Sequence, residues 1–495
     1  MYVNVALTGA TGTMGGATME ALLREGCFKV RVLARHSGKN VKMLSPLIDD
    51  GKISVVWGDL ANPDSLKELI EESDILLHIG GMVSPRADWY PEETMRVNTS
   101  SMRNIVDALV SSGRTDMPVI NIGSVSQTGN REVSNRFGRT GDPIAPARFD
   151  AYAMSKCIAE RTLAESPLKR WASLRQSGIL YPKLLMKAND PITFHVPLNG
   201  MLEWATVEDS ARLMVNICKA EIPETFWKRF YNISSGKAYR LTNYEFEEML
   251  LSAIGIKSPK KVFEPQWFAL KNFHGQWYAD AGKLEKYFSF RENIPASEYF
   301  RRMVSKVPSY FRLARFCPSF VMKAFMGHVA MNKTLGTRYW VKSGNEARVD
   351  AFYGGMEAYR GIKPWKGFRL EFPETDPEPS ELQSILLEHG YDDGASSSSL
   401  NATSLQEAAA FRGGRVVSAP DCTGEELLDA KVEWECHDGH RFVLSPRTVL
   451  KGGYWCPECM ESPDDYPRQA VHNKFLAQVV APLHDGHDGY KEDTV

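Results

Sequence analysis

The chain has 495 residues, 43% of them hydrophobic and 24% charged, with a formal net charge of -2 at pH 7. That composition suits a soluble globular chain of about three domains, and the near-zero charge gives no overall attraction to polyanions. A predicted strand follows Met1 directly, no run of about 18 apolar residues occurs, and the eight cysteines are too sparse for a disulfide scaffold. The expectation is therefore a cytoplasmic protein without a secretory signal or membrane-spanning helix.

Residues 3–8 form an apolar run rich in β-branched side chains. Gly9, Gly12 and Gly15 follow, with Thr11, Thr13 and Met14 between them, and a helical pattern covers 17–23. This reads as strand, tight turn and helix, a unit whose backbone can approach a pyrophosphate while the helix N-terminus presents free N–H groups. The alternative is a glycine-rich turn that only packs helix on strand. Further strands are predicted at 30–34, 53–57, 74–78 and 118–122, and helices at 65–72 and 91–109. Repeated β-α units predict a parallel sheet covered on both faces, with ligands at the carboxyl ends of its strands.

The end of the second strand reads Ala34-Arg35-His36, with Lys39 nearby and no carboxylate to hold a ribose 2′-hydroxyl. A guanidinium can grip a 2′-phosphate in a forked pair, so NADP(H) is expected. NAD(H) is the alternative if Arg35 is only a solvated strand-end residue. Asp59 is placed either to receive the adenine amino group or to form a turn. After the fifth strand come Ser124 and Ser126. Tyr152 and Lys156 lie four apart on a predicted helix over 151–164 and share one face. An ammonium beside a phenol favours the phenolate, so Tyr152 is expected to move a proton near neutral pH, with a serine hydroxyl holding the substrate oxygen.

In this order the pieces Thr8 to Gly15, Gly58-Asp59-Leu60, His78 to Gly81, Val97-Asn98-Thr99, Ser124, Tyr152-x-x-x-Lys156, Trp204 to Ala211 and Tyr231 to Gly236 resemble an extended short-chain dehydrogenase/reductase. That group includes epimerases, dehydratases and 3β-hydroxysteroid dehydrogenases. The resemblance covers residues 1 to about 300. It implies Tyr152 as general acid/base, Lys156 on the nicotinamide ribose, Ser124 orienting the substrate oxygen in preference to Ser126, and Asn98 as a further site residue. It also implies Gly9, Thr11, Gly12, Thr13, Met14, Gly15, Arg35, Asp59, Leu60, Gly80 and Tyr181 at the cofactor. Two departures lie at Thr128-Gly129, where the family has Tyr-Gly, and at Gly178-Ile-Leu-Tyr181-Pro182. A third lies at 197–204, which has no Arg or Lys where nucleotide-sugar enzymes carry an arginine. A diphosphate without a cationic partner is poorly held, so a less polar ketone or secondary alcohol, steroid or lipid-like, is expected. An NAD-dependent epimerase or dehydratase of a sugar derivative is the enzyme alternative, and a nucleotide-sensing protein with an adaptor tail is the other.

Residues 299–345 contain no Asp or Glu. They carry Arg301, Arg302, Lys306, Arg312, Arg315, Lys323, Lys333, Arg338 and Lys342 among aromatics that include Tyr299, Phe300, Tyr310, Phe311, Phe316, Phe320, Phe325, Tyr339 and Trp340. The favoured reading is a helical cap on the substrate lobe, because Pro308 and Pro318 interrupt any long amphipathic helix. A peripheral membrane contact is the alternative, and nucleic acid is a third possibility.

Near the end, Cys436-x-x-x-His440 and Cys456-Pro-Glu-Cys459 offer three sulfurs and an imidazole, a set suited to tetrahedral zinc; His437 could replace His440. Residues 415–465 resemble a treble-clef zinc ribbon, which implies Cys436, His440, Cys456 and Cys459 as ligands of a structural zinc. The expected architecture is an α/β Rossmann doubly wound parallel sheet with a small substrate lobe (1–300), a basic aromatic helical extension (301–380), a linker (381–414), the zinc-ribbon module (415–465) and a frayed polar tail (466–495), where chelation by His484 and His487 is not expected. The partners expected are a small-molecule substrate and, as a further possibility, a second copy of the chain; nucleic acid is the less favoured partner of the zinc ribbon.

Overall fold

The computed structural model describes residues 2–187, 190–308 and 316–484. Seven strands form one parallel sheet: β1 Val3–Thr8, β2 Phe28–Ala34, β3 Ile53–Trp57, β4 Ile75–His78, β5 Val119–Ser124, β6 Trp171–Gln176 and β7 Arg229–Ile233. Their order is β7-β6-β5-β4-β1-β2-β3. The order reverses direction between β1 and β4, which opens a crevice at their carboxyl ends.

The strands read as continuous apolar runs because both faces are covered. On one face Val5, Leu7, Val30, Val32 and Leu174 pack with Met19 and Leu22 of the helix Thr13–Glu25 and with Leu213 and Ile217 of Val207–Lys219. On the other, Ala6, Leu33, Leu76 and Trp171 meet Pro63–Ile70, Pro91–Ser111 and Ala151–Ala164. Each fully buried Leu or Ile contributes roughly 1.5–3 kcal/mol. A helix at Gly38–Asp49, capped by the Ser37 hydroxyl, joins β2 to β3. The sequence reading assigns nothing there, since Gly38, Pro46 and the polar start resemble a loop.

The extension completes the substrate lobe. Met326, Val329 and Ala330 of the helix Ser319–Val329 share a core with Phe194, Tyr244, Phe263 and Phe268. Several of its cations are paired at home: Arg301 and Arg302 with Glu298, Lys306 with Glu208 at 2.9 Å, and Lys323 with Glu264. Tyr299, Phe300 and Trp340 are buried, whereas Phe320 and Phe325 are exposed. Tyr310, Phe311, Arg312 and Arg315 lie outside the described residues. Among those described, no helix is long and apolar enough to cross a membrane.

Two expectations about the tail differ from the structure. Residues 381–414 are not a bare linker. The helix Ala402–Phe411 buries Leu405, Ala408 and Ala409 in one cluster with Trp434, Tyr454 and Trp455, joined by Ile144 and Cys157 of the large domain. The Asp and Ser residues that suggested flexibility make local turns, with Asp392 accepting from Gly394 and Ala395. The tail is ordered through two helices, Tyr466–His472 and Lys474–His484, whose Tyr466, Leu476, Val479 and Val480 pack on Ala145 and Leu387. Residues 485–495, with His487, lie outside the described residues. Between these segments, Arg415–Ser418, Val432–Glu435 and Arg441–Leu444 form a three-stranded antiparallel sheet.

Candidate functional site

A cavity of about 1420 Å³ runs from the glycine turn after β1, past Tyr152, into the substrate lobe. Typical ligand pockets measure about 300–1,000 Å³, so this one has room for a dinucleotide and a second molecule.

The turn is shaped for close approach. Gly9 has φ 77°, and its carbonyl accepts from Gly12 N at 2.9 Å. A Cβ on Gly15 would lie 2.2 Å from the Gly9 oxygen, and one on Gly9 would lie 2.8 Å from Gly80 Cα. Thr8 Oγ1 accepts from Gly80 N at 2.9 Å and meets His78 Nδ1 at 2.9 Å, which fastens the turn to the end of β4. Burial lowers the pKa of His78 to about 3, so it stays neutral. Gly12, at the N-cap of the Thr13–Glu25 helix, supplies no capping side chain. The helix's first N–H groups are thus left for an anion.

Thr11, Thr13, Met14, Leu60, Gly80 and Tyr181 all line the cavity, as do Arg35, His36, Ser37, Lys39 and Asn40 at the end of β2. Arg35 is exposed, and its carbonyl accepts from Asn40 Nδ2 at 2.8 Å. Asp59 also reaches the cavity, while its Oδ1 accepts from Ala61 N at 2.9 Å and so holds the turn after β3.

Ser124, at the end of β5, lines the cavity with Tyr152 and lies near enough to act against the rise of the phenol's pKa. Its Oγ accepts from Ser126 Oγ at 2.8 Å. Ser126 is fully buried behind it and does not line the cavity. Lys156 Nζ donates to Ile122 O at 2.8 Å, and burial lowers its pKa to about 8. The expected lowering of the tyrosine is not seen. Burial pushes Tyr152 up to about 12 against the effect of Ser124, and Asp150 adds to the rise. The reason is that Lys156 is turned toward a backbone carbonyl and is itself desolvated.

Asn98 does not line the cavity. Its Oδ1 accepts from Met82 N at 2.8 Å, and its Nδ2 donates to Met82 O and to Ser155 Oγ. Its bonds therefore brace the loop after β4 against the Tyr152 helix, and its amide has no donor left for a substrate.

Beyond Tyr152 the wall is apolar: Leu184, Leu185, Phe246, Leu250, Leu251, Ile254, Val262, Phe263, Met322 and Met326. The polar side chains Lys187, Asp190, Thr193, Glu247 and His274 stand among these. Sequence reasoning missed this arm because its side chains come from separate segments that meet only in the fold. It also missed a buried network behind Ser124. Gln127 Oε1 accepts from Ser124 N at 2.7 Å, and Gln127 Nε2 donates to Glu160 at 3.0 Å. Glu160 also holds Arg175 at 2.7 Å and the Tyr454 hydroxyl at 2.9 Å.

A second cluster joins Cys436, His440, Cys456 and Cys459, whose ligand atoms all lie within 4.8 Å of one another. Each sulfur lies 3.5 Å from His440 Nδ1, and Cys436 and Cys459 are 3.7 Å apart. With bonds of about 2.3 Å to sulfur and 2.0–2.1 Å to nitrogen, a tetrahedral zinc separates its ligands by roughly 3.5–3.8 Å. The donor set and spacing fit that ion. His437 instead stacks on His472, ring centroids 3.6 Å apart, so it is not the fourth donor.

Residues 5–167 match the model of the NAD dependent epimerase/dehydratase family. The chain is 30% identical over 146 residues to a ceramide reductase of Caulobacter vibrioides, covering 28% of this chain and 43% of that one. It is 26% identical over 188 residues to a 2-alkyl-3-oxoalkanoate reductase of Shewanella oneidensis, covering 37% and 45%. It is also 26% identical over 127 residues to a UDP-glucose 4-epimerase of Rickettsia conorii, covering 24% and 37%. The chain thus spans about half the length, or less, of these curated relatives. Among solved structures, a dTDP-glucose 4,6-dehydratase of Streptomyces venezuelae with NAD bound superposes with TM-score 0.49 at 18% identity, over 62% of this chain and 96% of that one.

Proposed function

With an NAD dependent epimerase/dehydratase family domain at residues 5–167, we propose that the chain is an NADP(H)-dependent oxidoreductase. Its substrate would be a ketone or secondary alcohol with a large apolar part, a chain or a steroid-like ring. One observation carries the reading: a single cavity has the glycine turn at one end, an apolar wall at the other, and Ser124, Tyr152 and Lys156 between them.

Bound NADPH would supply the hydride, and the protein supplies placement and the proton. The bare N–H groups after Gly12 suit the pyrophosphate. Arg35 and Lys39, with Ser37 beside them, suit a 2′-phosphate. The Ser124 hydroxyl orients the carbonyl oxygen. Tyr152 delivers its proton to that oxygen as negative charge grows on it, and the Lys156 ammonium favours that transfer electrostatically. Two of the relatives are named as reductases, which supports reduction as the direction. In this reading the Cys436, His440, Cys456 and Cys459 set holds a structural zinc, since all four positions are filled by protein.

The test is a panel of ketones and alcohols, steroids included, read by NADPH and NADH absorbance. Tyr152→Phe should lower turnover about 10²–10⁴-fold and leave NADPH binding unchanged. Arg35→Ala should weaken NADPH far more than NADH. Full turnover in Tyr152→Phe would end the proposal, and equal weakening of both nucleotides would end the assignment of NADP. A tightly bound NAD carried through purification would favour the epimerase/dehydratase reading instead.

A further inference from the structure

Two of the three glutamates on the helix Asn243–Ala253 have opposite fates. Glu245 caps the helix, its carboxylate accepting from Thr242 N at 2.8 Å. Glu247, half a turn on, points to the cavity and is only 4% exposed. No hydrogen bond or ion pair is made by its carboxyl among the described residues, and burial alone pushes its pKa up to about 8. The other deeply buried glutamates are treated differently. Glu160 holds Arg175, Ser173, Gln127 and Tyr454. Glu203 holds Arg240 at 2.8 Å, Tyr278 N at 2.9 Å and the Ser234 hydroxyl.

An unpartnered carboxyl in an apolar wall is costly. Phe246, Leu250, Leu251, Ile254 and Phe263 line the same cavity, and none of the polar side chains lining it makes a hydrogen bond or ion pair to Glu247 among the described residues. A ligand would offset that cost by bringing a donor.

We propose that Glu247 is the polar anchor of the substrate arm. It accepts a hydrogen bond from a hydroxyl, amide N–H or ammonium group carried by an otherwise hydrocarbon substrate. The hydrocarbon part lies along the apolar wall, and the anchor fixes how far the molecule enters toward Tyr152. This rests on the reading of the lobe's arm as the substrate site, and it narrows the substrate class from apolar to amphiphilic. A cavity lined by hydrophobic side chains with a few placed polar groups is how pockets usually set orientation.

The test uses the full-length protein saturated with NADPH and two probes of equal chain length, dodecanol and methyl dodecyl ether, each displacing an apolar fluorescent dye. Dodecanol should bind about tenfold more tightly than the ether. Glu247→Leu should reduce that preference to less than twofold. Should Glu247→Leu not fold, the nearly isosteric Glu247→Gln serves with dodecylamine at pH 9, above the carboxyl's raised pKa, because there it removes the charge but keeps an acceptor. It should lose the wild type's preference for the amine over the alcohol while still favouring alcohol over ether. Equal binding of alcohol and ether to the wild type overturns the proposal. So does an alcohol preference that survives Glu247→Leu, an amine preference that survives Glu247→Gln, or no displacement by any probe. A protein that reduces no ketone yet keeps the alcohol preference would end the reductase reading and leave the anchor standing.

Discussion

At the scale of single residues, the pH dependence of the proposed reduction would turn on Lys156 and not on Tyr152. Carbonyl reduction needs the phenol protonated. With burial holding Tyr152 near 12, it stays protonated through any practical range. Lys156 titrates near 8 because it is desolvated, and only its charged form favours negative charge on the substrate oxygen. Below about 8 the ammonium is present, and above it the charge is lost. The rate of reduction, as kcat/KM, should therefore be level at lower pH and fall about tenfold per pH unit above 8. Lys156→Arg keeps its charge and should lose that limb while running more slowly throughout. A limb that stays near 8 in the variant would assign it to another group. The strand end that carries Ser124 and the helix that carries Tyr152 and Lys156 were legible in the sequence because each is a local pattern. Asn98 fitted a motif, but only the structure shows all its hydrogen-bonding groups occupied. Glu247 left no trace, since a glutamate within a helix is usually a solvated one.

At the scale of elements, the strand, turn and helix at the N-terminus were legible throughout. The apolar run, the glycine spacing and the helical period agree with one another, as they do where local and global preferences coincide. The turn's demand is steric and can be tested apart from catalysis. A Cβ on Gly15 would sit 2.2 Å from a backbone oxygen that has nowhere to go. Gly15→Ala should weaken NADPH binding at least tenfold in a fluorescence titration and lower stability by about 1–3 kcal/mol. Gly38, the first residue of its helix as Gly15 is the third of its own, has open space where a Cβ would stand. Gly38→Ala should be near neutral in both measurements, and Gly15→Ala behaving like it would refute the steric account. Less legible elements carried misleading residues. β6, where the sequence reading places no strand, contains the polar side chains Ser173, Arg175 and Gln176. All three are buried, with Ser173 and Arg175 turned onto Glu160.

At the scale of the whole molecule, the sequence suggests a metal module hung from an enzyme by a linker, and the structure shows one joined body. Composition marks where turns lie but not what they pack against. The segment from 445 to 456 makes the join. Ser445 and Thr448 donate to Glu165 at 2.7 and 2.5 Å, and Gly452 O accepts from Arg175 at 2.7 Å. The Tyr454 hydroxyl reaches Glu160 and the Cys157 carbonyl, both on the helix that carries Tyr152 and Lys156. Two residues later stands Cys456, in the candidate metal set. Arg175 and Glu160 are at most 1% exposed, and breaking a buried pair of this kind costs roughly 3–5 kcal/mol. The two halves should therefore unfold together. A small metal module draws much of its folding free energy from the ion, so chelation or Cys459→Ser should lower the midpoint of one cooperative thermal transition, followed by near-ultraviolet circular dichroism. Ketone turnover and NADPH binding should be lost over the same range. Two separate transitions, with the NADPH-binding one unmoved by the chelator, would show that the tail is an appendage after all. An unchanged midpoint would show that the four ligands carry no structural ion.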